Sequence, residues 1–397
     1  MKEQLLKKNT TKTAFSNLKK APVVQPNSMK PLGIVGGGQL ARMLALKAHE
    51  LGIKVAVLSE NAFDPAAQVT SLWTQGALGN RADLRKFLSI CSLVTFESEF
   101  LDAHLLESLS RETSVPVLPR PSDMALIQDR LTQKEILLKH RLPTARFHSV
   151  ATEDEARWAF DDLGGRAVFK KRRFGYDGYG TFIVRSAQDL KKFLPELTKN
   201  SHGFIAEEFV PFKRELAVMV VRSLRGQTVR LPFVESYQEN ARCLWVKGPL
   251  RKSAKLTALG QKLEKFLSAI SYCGTMGVEL FDTGSKLIVN ELAPRVHNSG
   301  HYSLDALSDD QFSLHIKAVL GQDLVTPRVL SPGFAMMNLL GSTTEPATWL
   351  LPSEIKLHWY GKEENRPGRK MGHINVLAAT PEKALALVKN RRSCFRV

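Results

Sequence analysis

Glu279 and Glu291 stand at the two ends of a stretch, ELFDTGSKLIVNE, that reads as a hairpin. Asn290, Arg295, His297, Asn298 and His301 lie close beside them. Two acids held on paired strands suit a magnesium ion shared with the phosphate oxygens of ATP. A cationic, amide-rich loop next to them suits an anionic co-substrate and the charge that develops during transfer. In an unspecialised protein the same residues would be an acidic hairpin and a polar loop, so other segments must decide. Geometry adds a condition. A two-residue turn would point the two carboxylates to opposite faces. A three-residue turn through Thr283, Gly284 and Ser285, with glycine left-handed, or a bulge, would bring both to one face.

Three further segments carry candidate chemistry. In KRRFGYDGYGT, Gly175, Gly178 and Gly180 surround Tyr176 and Asp177, and glycines free backbone N–H groups to face phosphate oxygens. Lys170, on the strand leading in, can meet a phosphate as a point charge. No GK[ST] follows, so this is not a Walker loop, and alone it would be an ordinary turn. Glu207-Glu208-Phe209-Val210 is a strand end where backbone groups can read an adenine edge and a carboxylate can accept from ribose; Glu215 is a second ribose candidate. Near the C-terminus, YGKEENRPGRKMGH gathers Lys362, Arg366, Arg369 and Lys370 around Pro367-Gly368, a basic turn that fits a phosphate monoester.

The elements that must position these residues begin at Leu32. GIV enters Gly36-Gly37-Gly38, Gln39 to Leu51 has helical spacing, and Lys54 to Leu58 is apolar again. This βαβ start predicts a parallel sheet with an anion near the helix N-terminus. Leu40 and Ala41 break any GxGxxG, so a dinucleotide site is not indicated. Leu93 to Phe96 reads as another strand, ending in Glu97 and Glu99. Ser122 is expected to cap one long helix through His140. Strands are expected at Arg166 to Lys170, Phe204 to Phe209, Glu215 to Val221 and Thr228 to Val234. Further strands are expected at Ala335 to Leu340, Ile355 to Trp359 and His373 to Leu377, and Thr380-Pro381 should cap a final helix.

The bulk numbers limit the classes. A chain of 397 residues needs two or three domains. Hydrophobic content of 43% with 24% charged residues is that of a globular protein, and no apolar run approaches the roughly 20 residues of a membrane span. Cys91, Cys243, Cys273 and Cys394 form no CxxC pair, which predicts reduced thiols in the cytoplasm. Of the +17 formal charge, seven lysines and one glutamate in residues 1 to 30 supply +6. Without a nucleic-acid motif, that excess predicts solvation, or attraction for phosphorylated small molecules, more than recognition of a polynucleotide. This tail has no sustained period and reads as disordered, with Met29 as the expected true start.

Taken together, the segments resemble the 5-(carboxyamino)imidazole ribonucleotide synthetases, the ATP-grasp carboxylases of purine biosynthesis. The resemblance runs from about Pro31 to the last helix, through GIVGGGQLARML, the TFE of Thr95 to Glu97, IQDRLTQK, GYDGYG, EEFVPFKREL, NELAPRVHNSGH and GKEENRPGRKMGH. The pairing of NELAPRVHNSGH with RPGRKMGH is the most specific part. It implies a mixed α/β and α+β protein: an ATP-grasp fold with an N-terminal βαβ parallel-sheet domain and a small C-terminal β-rich domain. The expected units are a tail over 1–30, then 31–122, 123–325 and 326–397.

The implied reaction joins bicarbonate to the exocyclic amine of 5-aminoimidazole ribonucleotide, with ATP and Mg2+, through carboxyphosphate, in a cytoplasmic homodimer. Matched to nucleotide positions are Arg130, Lys170, residues 175–181 (Gly175, Tyr176, Asp177, Gly178, Tyr179, Gly180, Thr181), Glu207, Glu208, Phe209, Val210, Glu215, Gln238, Asn290 and Glu291. Glu279 and Glu291 match the magnesium ligands. Arg295, His297 and Asn298 match the bicarbonate loop. Lys362 and Arg369 match the grip on the ribonucleotide phosphate, with Gln39, Leu40, Tyr176 and Asp177 over the substrate. The chain departs from the family pattern at Phe174 (usually glycine), Tyr179, Thr181 and Gln238, which is expected to alter ATP affinity or loop closure without abolishing catalysis. Rival readings are another ATP-grasp ligase, such as a formate-dependent glycinamide ribonucleotide transformylase, and a non-catalytic nucleotide-binding protein; VHNSGH and RPGRKMGH favour the carboxylase.

Overall fold

The computed structural model describes residues 30–175, 178–239, 242–342 and 346–397. The readings for residues 1–29, Tyr176 and Asp177 fall outside these. The N-terminal unit is a parallel sheet in the order β3-β2-β1-β4, from β1 (Leu32–Val35), β2 (Val55–Ser59), β3 (Leu72–Gln75) and β4 (Leu93–Phe96). Helix α1 (Gln39–Glu50) buries Ala41, Met43, Leu44, Ala45 and Ala48 against it, the stripe that its helical spacing predicts. Helices α2 (Arg81–Ile90) and α3 (Ala103–Thr113) complete the core with Phe87, Leu88, Leu106 and Leu109.

The long helix expected from Ser122 to His140 is two helices, α4 (Pro121–Gln128) and α5 (Arg130–Lys139). Ser122 lies inside the first, whose N-cap is Arg120. The break is Asp129, extended at φ −95°, ψ 116°, whose carboxylate caps Leu131 N at 3.0 Å. The same carboxylate accepts from Arg172 Nε at 2.9 Å and Nη2 at 2.7 Å. Burial alone would raise this acid; Arg172 and the cap hold it below the usual range. We expect Asp129→Ala to lose roughly 3 kcal/mol in urea unfolding, a cap plus a charged hydrogen-bond pair, and Asp129→Asn, which keeps the cap, about half that. Equal losses in the two variants would contradict the double role.

Two further sheets face one another across a cleft. The smaller is antiparallel in the order β5-β8-β6-β7, from β5 (Phe147–Val150), β6 (Ala167–Lys171), β7 (Thr181–Val184) and β8 (Phe204–Glu208). The larger has nine strands among the described residues. It includes β9 (Arg214–Arg222), β10 (Thr228–Arg230), β11 (Val234–Glu239), β12 (Arg242–Gly248), β13 (Gly274–Asp282) and, at one edge, β14 (Leu287–Ala293).

The strand expected over Thr228 to Val234 is broken at Leu231-Pro232-Phe233, because proline lacks the N–H a ladder needs. The β11–β12 pair went unread in the sequence. Its Tyr237 and Trp245 stack at 5.2 Å. The C-terminal part contributes β15 (Gly333–Leu340), β16 (Thr348–Trp349), β17 (Lys356–Trp359), β18 (Lys370–Ala378) and β19 (Phe395–Arg396). Strand β15 hydrogen-bonds to β12, so the C-terminal strands β15, β18 and β17 extend the same large sheet. Thr380 caps the last helix, Pro381–Arg391, by accepting from Lys383 N.

Candidate active site

The β13–β14 hairpin closes on Gly284 and Ser285. Thr283 N donates to Lys286 O at 3.0 Å, and Gly284 is left-handed at φ +94°. This is the short turn, not the three-residue one. The register shifts instead between Glu279 and Leu280: Leu280 faces Val289 and Glu279 faces Glu291, leaving Asn290 as the extra residue. The bulge therefore does what the longer turn would have done, placing both carboxylates on one face. It also turns Asn290 Oδ1 to accept from Lys170 Nζ at 3.1 Å.

The paired acids carry strong electrostatics. Burial, then the Glu291 and Glu215 charges, raise Glu279 to about 7; Lys370 and a hydrogen bond from Gln238 oppose this. Burial likewise raises Glu215 to about 7. Arg130 Nη2 donates to both Glu291 oxygens, at 3.0 and 3.3 Å, and reaches Gly175 O at 3.3 Å. Among the described residues no three His, Cys, Asp or Glu side chains form a closed metal cage. Two facing, mutually repelling carboxylates still fit a divalent cation whose other ligands are phosphate oxygens and water.

Between the two sheets lies a cleft of about 740 Å³, lined by Glu279, Asn290 and Glu291 and also by Arg130, Lys170, Gly175, Gly178 and Thr181. Glu207 through Val210, Glu215, Gln238, Arg295 and His297 line it as well. Lys170 Nζ bonds Glu207 Oε2 at 3.1 Å. A second lysine, Lys134, meets the same oxygen at 3.2 Å and bonds Thr144 Oγ1 at 2.9 Å and Asn290 O at 3.0 Å. Burial would raise Glu207, but the two lysines hold it down at about 2. Sequence reasoning missed Lys134 as a site residue. The available signal was a lysine on the buried stripe of α5, beside Gln133 and Leu137.

At the start of the glycine-rich loop, Phe174 is left-handed at φ +61°, the conformation for which glycine is suited. Its ring lies 6.4 Å from Phe100 and 5.4 Å from His202. Gly178 and Gly180 are left-handed as well, and Lys171 Nζ sits 4.6 Å over the exposed Tyr179 ring.

Beyond the facing carboxylates, His297 Nε2 is 3.7 Å from Glu279 Oε1, and its Nδ1 is 2.8 Å from Ser299 Oγ. Burial, then Arg295, lower His297 to about 3, so it is neutral at pH 7. The amide of Asn298 is paired reciprocally with Asn338, at 3.0 and 2.7 Å, which ties it to β15. Arg295 is gripped by Glu99 through Nε and through Nη2 at 2.8 Å. Sequence reasoning gave Glu99 no role.

Gln39 and Leu40 open α1, where a ligand anion was expected. The protein supplies its own: Glu97 accepts from Gly38 N and, at 2.9 Å, from Ala41 N. Burial raises the Glu97 carboxyl, against those N–H groups and the Arg295 and Lys362 charges. Gln68 Nε2 donates to Gly361 O at 2.6 Å, and Gln68 Oε1 accepts from Arg42 Nη1 at 3.4 Å, bringing α1 to the basic loop. In that loop Lys362 Nζ donates to Lys370 O at 2.6 Å, and Arg369 Nη1 donates to Glu364 O at 2.9 Å.

Comparison with known proteins agrees with this layout. Family models match for a ribonucleotide synthetase preATP-grasp domain (residues 29–128), an ATP-grasp domain (135–312) and a phosphoribosylaminoimidazole carboxylase C-terminal domain (335–387). The chain is 39% identical over 357 residues to an N5-carboxyaminoimidazole ribonucleotide synthase of Synechococcus elongatus, covering 87% of this chain and 89% of the relative. It is similar to the Staphylococcus aureus N5-carboxyaminoimidazole synthetase complexed with ADP, with a TM-score of 0.84 at 32% identity over 92% of this chain and 97% of that one. An Aspergillus clavatus N5-carboxyaminoimidazole synthase, in complex with ADP and 5-aminoimidazole ribonucleotide, matches with a TM-score of 0.81 at 28% identity, over 93% and 100% of the chains.

Proposed function

The chain belongs to the N5-carboxyaminoimidazole ribonucleotide synthases, and from that premise we propose how its cleft performs the reaction. It is an ATP-dependent ligase that carboxylates 5-aminoimidazole ribonucleotide in purine biosynthesis. The observation that carries the residue-level reading is the facing of Glu279 and Glu291 across the bulge, at the wall of a cleft that also holds Lys170 and Glu207.

Adenosine lies between the sheets, with the strand end from Glu207 to Val210 at the base and Glu215 at the ribose. Lys170 and the glycine-rich loop hold the phosphates. Glu279 and Glu291 hold Mg2+, which when bound neutralises charge on the transferring phosphate. Arg295 binds bicarbonate while neutral His297 offers a hydrogen-bonding ring without a second charge. A bicarbonate oxygen attacks the γ-phosphorus and ADP leaves, giving carboxyphosphate. This breaks down to phosphate and carbon dioxide, which the substrate's exocyclic amine attacks with loss of a proton. Asn298, paired with Asn338, acts by shaping the loop. Lys362 and Arg369 take the ribonucleotide phosphate, with Gln39 and Leu40 across from them. Glu97 already satisfies the start of α1, so the basic loop rather than that helix terminus takes the phosphate.

No helix among the described residues is long and apolar enough to cross a membrane. We assign the enzyme to the cytoplasm, in keeping with four free cysteines, and to a homodimer, which light scattering at working concentration would test.

Radiolabelled bicarbonate should enter an acid-labile product only when ATP and the ribonucleotide are both present. Label uptake from formate instead would refute the reading. The pH response follows from Glu279. A carboxyl raised from 4.5 to about 7 contributes fully to stability below its unfolded value and loses that contribution as pH rises through about 7. Ligand-free protein should therefore melt lower at about pH 8 than at about pH 6 on account of this group, with Glu215 adding in the same direction. Mg2+ with ADP should raise the melting point more at the higher pH, where no proton has to be displaced. Glu279→Gln should remove most of that difference, and an equal ligand shift at both pH values would contradict the assignment.

A further inference from the structure

We propose that Glu99 is a positioning residue for bicarbonate, holding Arg295 so that its outer N–H groups face the anion; this rests on the reading of the cleft given above. Glu99 follows β4 in the N-terminal unit, and Arg295 follows β14, 196 positions later. The carboxylate takes the Nε and Nη2 side of the guanidinium, while Nη1 donates to Val296 O at 3.1 Å. An arginine has five N–H groups in a planar fork. Three are thus committed among the described residues, and neither terminal nitrogen is a buried, unpartnered atom. The two N–H groups left over belong to a side chain on the wall of the cleft, near His297.

The backbone that carries Glu99 is itself pinned. Gln128 Nε2, at the end of α4, donates to Glu99 O and to Leu101 O at 2.6 Å. The side chains of Glu99 and Arg295 are only 21% and 16% exposed. Stability is a weak reason to build such a pair, because a largely buried ion pair about breaks even against apolar packing. Orientation is a stronger one. Arg295 also feels the Glu97 and Glu291 charges. Were it to swing onto Glu291, it would compete with Arg130 for that carboxylate and leave bicarbonate without a cation. Glu99 keeps the guanidinium between these alternatives.

The test is steady-state kinetics of Glu99→Gln and Glu99→Asp, with ADP binding and thermal melting measured on the same preparations. Glutamine keeps the shape and one acceptor but not the charge or the double grip. We expect the bicarbonate KM to rise about 10- to 100-fold in Glu99→Gln, the scale of a roughly 1 Å misplacement of a binding group. ADP affinity and the ribonucleotide KM should stay within about twofold, because their contacts lie elsewhere in the cleft. Glu99→Asp, with charge but shorter reach, should fall between the two. An unchanged bicarbonate KM would overturn the proposal. So would a parallel loss of ADP affinity, ribonucleotide KM and melting temperature, which is what a purely structural pair would give. Wild-type ADP release that needs neither bicarbonate nor ribonucleotide would remove the underlying reading, and this inference with it.

Discussion

Glu291→Gln should lower ribonucleotide-dependent ADP release by about a hundredfold or more, the range seen when a preorganised electrostatic group at a transition state is lost. The substitution is nearly isosteric, so the β13–β14 bulge and its register should persist. What goes is charge: Glu279, raised mainly by burial, loses the neighbouring charge that adds to it, and Arg130 loses the carboxylate it grips at 3.0 Å. Glu279 then ionises more readily, so the site still holds one carboxylate. A large loss of turnover would therefore show that the reaction needs the facing pair, not merely a negative side chain. The loss should appear mainly in kcat, since Lys170 and the strand end at Glu207 remain to hold nucleotide. Near-normal ATP turnover in this variant would take Glu291 out of the site.

The second large effect is on stability. Lys134→Met keeps the length of the side chain but removes an ammonium group that is only 2% exposed and shared between Glu207, Thr144 and the Asn290 carbonyl. Breaking a buried pair by removing one partner costs about 3–5 kcal/mol. Glu207 retains Lys170, which places the expected loss near the lower end, at about 3 kcal/mol. For a unit of this size that is a fall of roughly 6–12 °C in melting temperature. ADP affinity should fall with it, because Glu207 and the Asn290 bulge both lose an anchor. Lys170→Met should show the reverse emphasis, with a larger loss of ADP affinity and a smaller loss of stability, since Lys170 faces the cleft. Unchanged melting of Lys134→Met would contradict the shared-lysine arrangement.

The sequence was most legible where periodicity and backbone chemistry coincide. The GIV strand, the glycines and the α1 stripe appear where their spacing predicts, and Thr380-Pro381 caps its helix. It was less legible where a long-range partner decides a local outcome. Asp129 splits α4 from α5 because Arg172, 43 residues away, shares its carboxylate. The hairpin has the shorter of the two turns considered, and the facing of Glu279 and Glu291 comes from a bulge at Asn290 that no turn residue announces. Glu97 was legible as a strand end but not as the anion over α1. Lys134 and Glu99 escaped because their importance lies in partners far along the chain, Glu207 and Arg295. Asn298 was read as part of the loop beside bicarbonate; the partner of its amide, Asn338 on a strand from the C-terminal third, was not legible.

One cleft is expected to couple ATP cleavage to carboxylation of the ribonucleotide amine. ADP release from purified protein, with Mg2+-ATP and bicarbonate, should be slow alone and rise strongly when 5-aminoimidazole ribonucleotide is added. ADP release that the ribonucleotide does not stimulate, from protein that still binds ATP, would contradict it.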